Sequence, residues 1–118
     1  MENEWNDGQP IYRQIRDRVV AMILDDVLKE GDPLPSVRSL AAECGANPLT
    51  VAKAYQTFQE EGFVVVRRGV GMFVASGAAE RLRSSERRAF LEERWPDICA
   101  HIRRLGLQPE DLVERALA

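Results

Sequence analysis

The 118-residue sequence predicts a mainly α fold with a small β-hairpin: a winged helix-turn-helix over residues 1–77, then a helical dimerisation segment over residues 78–118. Three observations predict it. Two short runs within residues 33–60 carry helical apolar spacing, each with its own start signal, separated by a tight turn. The periodicity then changes abruptly, to a β-branched run, a basic glycine-containing turn and an apolar return strand. Beyond residue 78 apolar residues recur at helical intervals with no strand signal.

The first helix is expected from Pro10 to about Leu28. Ile11, Ile15, Val19 and Ile23 recur every four residues, with Tyr12, Val20, Met22, Leu24 and Val27 beside them. This stripe forms a floor for the two short helices that follow. Trp5, in the arm before it, packs either on the domain or on a partner chain.

Ser36 opens the second helix as its N-cap, followed by Val37, Leu40, Ala41 and Cys44 on one face. Gly45 stops it, because glycine takes the left-handed conformation of a helix end without a Cβ penalty. Asn47 and Pro48 repeat the start signal, Asn as a cap and Pro preorganised for the first helical position. Val51, Ala54, Tyr55 and Phe58 then mark the buried face and Gly62 the stop. Two helices joined by about three residues that include a glycine form a helix-turn-helix.

The residues that this third helix leaves outside the core point to a function. Leu49, Thr50, Lys53 and Gln56 lie off the apolar stripe, toward the N-terminal end, where a recognition helix meets base edges in the major groove of double-stranded DNA. Thr50 and Gln56 can hydrogen-bond to bases or phosphates, Lys53 can neutralise a phosphate or reach a guanine, and Leu49 can meet a thymine methyl.

Past Gly62, Phe63 to Val66 reads as a strand, Arg67 to Gly71 as a turn, and Met72 to Val74 as the returning strand. The tip carries Arg67, Arg68 and Gly69, so backbone or guanidinium can enter a minor groove at close range.

These segments resemble the GntR family of bacterial transcription regulators. The matching motifs are PIYRQI (10–15), LPSVRSLA (34–41), NPLTVAKAYQTFQEEGF (47–63) and RRGVGMFV (67–74), together spanning about 65 of the 118 residues in the right order. The short tail and the NPxTVxKAY form of the third helix are similar to the YtrA subfamily. The resemblance implies that Arg38 contacts phosphate or base, and that Asn47, Pro48, Leu49, Thr50 and Lys53 form the major-groove surface. Gly69, with Arg67 and Arg68, is then the minor-groove wing. It further implies a dimeric repressor of its own operon, with an adjacent transporter operon as a second target.

The net charge of −3 runs against the basic balance usual in nucleic-acid binders. Distribution resolves the conflict, since no acid stands between Ala46 and Phe58 or between Phe63 and Ala79, while Asp25, Asp26, Glu30 and Asp32 lie elsewhere. Binding is therefore expected to be local, modest in phosphate count and strongest as a dimer.

Other classes find little support. No stretch approaches the roughly 18 consecutive apolar residues of a membrane span, and MENEWNDGQP is too acidic and polar for a signal peptide, so a cytoplasmic protein without a membrane partner is expected. Cys44 and Cys99 are too few for a disulfide framework. Cys99 and His101 lack further ligands for a metal, and no nucleophile, carboxylate pair or phosphate-cradling loop is evident, so neither enzyme activity nor a cofactor is expected.

The tail carries eight Arg against eight acids. Leu91, Trp95, Ile98, Ile102 and Leu105 repeat at intervals of 4, 3, 4 and 3, a heptad-like seam, and Leu112, Val113, Ala116 and Leu117 mark a second short helix after Gly106 and Pro109. Two helices of this size cannot bury such seams alone, which predicts a homodimer matched to a palindromic operator. Pro96 predicts a kink or break near Trp95, with Asp97 starting the next turn. A small-molecule effector is compatible with the resemblance, seated at the dimer interface or between wing and tail. Two further readings remain open at this level, a winged-helix module for protein contacts that docks through Leu49, and an enzyme or small-molecule carrier.

Overall fold

The computed structural model describes residues 11–116 and divides into two compact units, Met1–Arg83 and Ser84–Ala118. The chain runs α1 (Ile11–Leu24), α2 (Val37–Cys44), α3 (Pro48–Glu60), β1 (Val64–Arg67), β2 (Gly71–Val74), α4 (Ala78–Ala89), a π-helical turn (Phe90–Arg94), α5 (Trp95–Leu105) and α6 (Pro109–Ala116). The expectations for Trp5, for a helix start at Pro10 and for Leu117 lie outside the described residues.

The caps form as their residue types require. The Ser36 hydroxyl accepts from the Ser39 amide at 3.1 Å, and the Asn47 Oδ1 accepts from the Leu49 amide at 2.8 Å. Gly45 ends α2 in the left-handed region at φ 65°. These bonds satisfy amides that a helix start otherwise leaves without partners.

One core joins the elements of the first unit. Ile15, Val19, Val20 and Ile23 of α1 meet Leu40 and Ala41 of α2 and Val51, Ala54, Tyr55 and Phe58 of α3. Phe63, Val64, Val74 and Ala75 bring in the hairpin, and Ala78 and Leu82 bring in the first turns of α4. Among the described residues no polar or charged side chain is buried apart from the Tyr55 phenol, whose hydroxyl donates to the Pro35 carbonyl at 2.7 Å. This bond ties α3 to the segment entering α2.

The hairpin is antiparallel, with Val64 opposite Val74 and Arg67 opposite Gly71. The segment before α2 extends it: the Gly31 amide donates to the Val74 carbonyl, the Val74 amide to the Asp32 carbonyl, and the Leu34 amide to the Met72 carbonyl, each at 2.9 Å. The outer edge of β2 is thereby paired, and the wing is anchored beside the start of α2.

Three features depart from the sequence expectations. α1 ends at Leu24 rather than near Leu28, because Asp26 turns into the left-handed region at φ 63° and the Val27 and Leu28 amides both donate back to the Met22 carbonyl. Leu28 is still buried, so the apolar periodicity marked packing beyond the helix end. The compact unit runs to Arg83 rather than residue 77, since Leu82 is fully buried, Arg81 donates to the Gly62 carbonyl at 2.8 Å, and Arg83 donates to the Leu24 carbonyl.

The third departure is at Pro96. The expected kink or break near Trp95 takes the form of a π-helical turn over Phe90–Arg94, and α5 starts at Trp95 rather than Asp97. The Trp95 amide donates to the Phe90 carbonyl five residues back. This wider turn puts Pro96 in the first turn of α5, where a missing amide is best tolerated. The tail accordingly holds α4, the π turn, α5 and α6, more helix than the two segments expected.

Candidate nucleic-acid interface

The first turns of α3 present the residues that the sequence singled out. Pro48 occupies the first helical position and is exposed, and Leu49 beside it is 78 % exposed. Lys53 and Gln56 are exposed and Thr50 half-buried, while Val51, Ala54, Tyr55 and Phe58 turn to the core. Capping engages the Oδ1 of the exposed Asn47, while its side-chain amide still offers donors suited to a phosphate or base acceptor. Together with the partial positive charge of the helix N-terminus, this surface favours anions.

Leu49, Thr50 and Lys53 share one open depression of about 430 Å³ with Ile11 and Tyr12 of α1. The Lys53 ammonium sits 4.4 Å from the centroid of the Tyr12 ring, a cation–π pair across two helices. Sequence reasoning assigned Tyr12 only to the flank of the α1 stripe. The spacing of PIYRQI carries no sign of this contact, which depends on how α1 packs against α3.

Ser36 and Arg38 lie at the start of α2, Ser36 as its cap and Arg38 exposed in the first turn. Ser36 lines a groove of about 260 Å³ with Val70 and Gly71, so the wing root and the start of α2 are neighbours.

The wing tip differs in detail from the expected Arg67–Gly69. Arg67 closes β1, and its guanidinium stacks over Phe73 at 4.6 Å, a diagonal cross-strand pair. The loop itself is Arg68, Gly69 and Val70, closed by the Val70 amide donating to the Arg67 carbonyl at 2.9 Å. Gly69 has φ 78°, a conformation that side chains resist, and nothing lies near the position of a Cβ there. Arg68 and Val70, the latter 71 % exposed, flank it.

In the second unit, α5, α6 and the π turn bury no side chain of their own. Leu91, Trp95, Leu105 and Val113 are exposed, while Ile98, Ile102 and Leu112 are half-buried. Phe90 and Trp95 pair at 6.2 Å between ring centroids. Cys99 is half-buried and His101 exposed, and no cluster of three or more metal-ligating side chains occurs among the described residues. No described helix is long and apolar enough to cross a membrane.

Comparison with known proteins agrees with this geometry. The family model for bacterial regulatory proteins of the gntR family matches residues 11–74, from α1 through the wing. The chain is 34 % identical over 116 residues to the HTH-type transcriptional regulator YhcF of Bacillus subtilis, covering 97 % of this chain and 93 % of that one. It is 42 % identical over 73 residues to the HTH-type transcriptional repressor YtrA of the same organism, covering 62 % of this chain and 56 % of the relative. A GntR family transcriptional regulator from Listeria monocytogenes superposes with a TM-score of 0.74 at 26 % identity, over 95 % of this chain and 96 % of that one. A capped helix pair, a glycine-tipped wing and a matching family model over the same residues lead to one conclusion: the chain belongs to the gntR family of bacterial regulatory proteins, as a YtrA-like transcription regulator.

Proposed function

We propose that the protein represses transcription as a homodimer on a palindromic operator, acting on its own operon and on an adjacent transporter operon. The observation that carries the reading is the N-terminal half of α3, where Asn47, Leu49, Lys53 and Gln56 are exposed and Thr50 is half-buried, together with the exposed Ser36 and Arg38 at the start of α2. Arg68 and Gly69 of the wing supply a second, minor-groove contact. Both surfaces belong to stretches free of acidic residues. The apolar residues Leu91, Trp95, Leu105 and Val113 support self-association, because a unit that buries nothing in these helices gains most by pairing them.

Genomic fragments bound by the purified protein test this, sequenced and then footprinted. The reading expects a two-fold site upstream of the protein's own gene, and a reporter fused to it that rises when the gene is deleted. Bound fragments without two-fold symmetry, or a reporter that falls, contradict it.

A protein-docking role has one observation in its favour, the 78 % exposure of Leu49. Substituting Lys53 and Arg68 together by Gln separates the readings, since a docking module keeps its activity and a DNA reader loses binding.

A further inference from the structure

We infer that Tyr12 is a positioning residue for base readout: it holds the Lys53 ammonium beside an apolar wall, and the depression so formed takes the major-groove edge of a thymine. The inference rests on the DNA-binding reading above and adds a base identity to it.

Two features of the depression select this ligand. Its wall is apolar where Leu49 and Ile11 stand exposed, and its donors are the Lys53 ammonium and the Thr50 and Tyr12 hydroxyls. Thymine is the base that offers a methyl group and a carbonyl acceptor, O4, next to each other in the major groove; guanine offers acceptors without a methyl, and adenine and cytosine each offer an amino donor that an ammonium repels. Leu49 and Lys53 are four residues apart on α3 and so project side by side. A thymine can then meet both, its methyl against Leu49 and its O4 toward Lys53.

Tyr12 matters because a free lysine would spread over many rotamers. Its ring comes from α1, which shares the buried core of Ile15, Val19, Val51 and Tyr55 with α3, so ring and ammonium are set by two packed helices rather than by one flexible side chain. The 4.4 Å contact restricts the ammonium before DNA arrives. Less side-chain freedom is then lost on binding, and the ammonium is directed to one position along the groove.

The test starts from duplexes selected by the wild-type protein from a randomised library. Recovery of a shared half-site establishes DNA reading; failure to recover one counts against that reading and not against the role of Tyr12 alone. In the selected site each thymine is replaced in turn by deoxyuridine, which removes only the methyl. Wild type is expected to lose about fourfold in affinity per methyl at one thymine position of the half-site, the value of one buried methyl-sized group. Leu49→Ala should bind with no penalty for deoxyuridine at that position.

Repeating the selection with Tyr12→Leu should blur the preference at that position and its neighbours, whereas Tyr12→Phe, which keeps the ring face, should restore the wild-type profile. Melting curves identify variants that fold. A folded Tyr12→Leu protein that selects the wild-type site, or a wild-type protein indifferent to every thymine methyl, overturns the inference.

Discussion

Lys53 and Arg68 carry charge at the proposed interface alongside Arg38, yet they are placed differently. Lys53 is restrained over Tyr12, while Arg68 stands in the wing loop next to Arg67, whose guanidinium rests on Phe73. A guanidinium in a glycine-tipped loop suits phosphate and the narrow minor groove, which raises affinity without naming a base. Arg68→Gln is therefore expected to weaken binding to all sequences alike. It should also flatten the dependence of log affinity on log salt by about 1 per protomer, or about 2 per dimer, readable from titrations at several salt concentrations.

Tyr55 is the residue on which pH acts. Burial, reinforced by the negative charges that Cys44 and Glu43 carry in alkali, pushes its phenol up to about 12 from 10.0. The folded state holds this proton more tightly than the unfolded chain, so its contribution is complete below pH 10 and is lost as pH rises through 12. Tyr55→Phe should remove this part of the alkaline loss, measured by denaturant unfolding from pH 9 to 12. At neutral pH the same substitution breaks the bond to the Pro35 carbonyl and is expected to cost about 1 kcal/mol.

At the scale of elements, the two capped helices are positioned by short-range chemistry, and this part was legible in the sequence. Ser36, Gly45 and Asn47 act on amides and carbonyls within a few residues of themselves, so their types alone mark the helix ends. Ser36→Ala is expected to lower stability by about 1 kcal/mol and to lower the melting temperature with it, without altering the α3 surface.

What the sequence hid is non-local. The end of α1 at Leu24 depends on Asp26 accepting a left-handed backbone, and Leu28 imitates another helical turn because it packs into the same core. α4 was obscured by its charge. Within AAERLRSSERRA, Leu82 and Ala78 are the only fully buried side chains, and Arg81 and Arg83 fasten to carbonyls of distant elements. Leu82→Ala should therefore cost about 2–5 kcal/mol, read in thermal unfolding of the full chain, although nothing near the proposed DNA surface changes. The Tyr12–Lys53 contact belongs to the same class, since no periodicity in α1 or α3 announces a pair that only their packing creates.

For the whole molecule, an acidic protein that binds DNA must do so through local surfaces, and a single copy offers few cationic side chains to the phosphates. Doubling by a two-fold axis is what raises affinity and specificity together, because two half-sites must stand at the right spacing. The exposed apolar residues of the second unit are where that pairing is proposed to occur. Trp95→Glu combined with Leu105→Glu is expected to shift the sedimentation of the protein to that of a monomer, and to reduce affinity for a two-half-site duplex far more than for a single half-site.

The central claim, that the first turn of α3 and the wing read DNA as a symmetric pair, is tested most directly by titrating a duplex of the protein's own upstream region with the full chain across a salt series. The account predicts saturable binding of two protomers per site, falling steeply with salt and lost when Lys53 and Arg68 are both replaced by Gln. Protein that stays folded and dimeric yet fails to bind that duplex at low salt would contradict it.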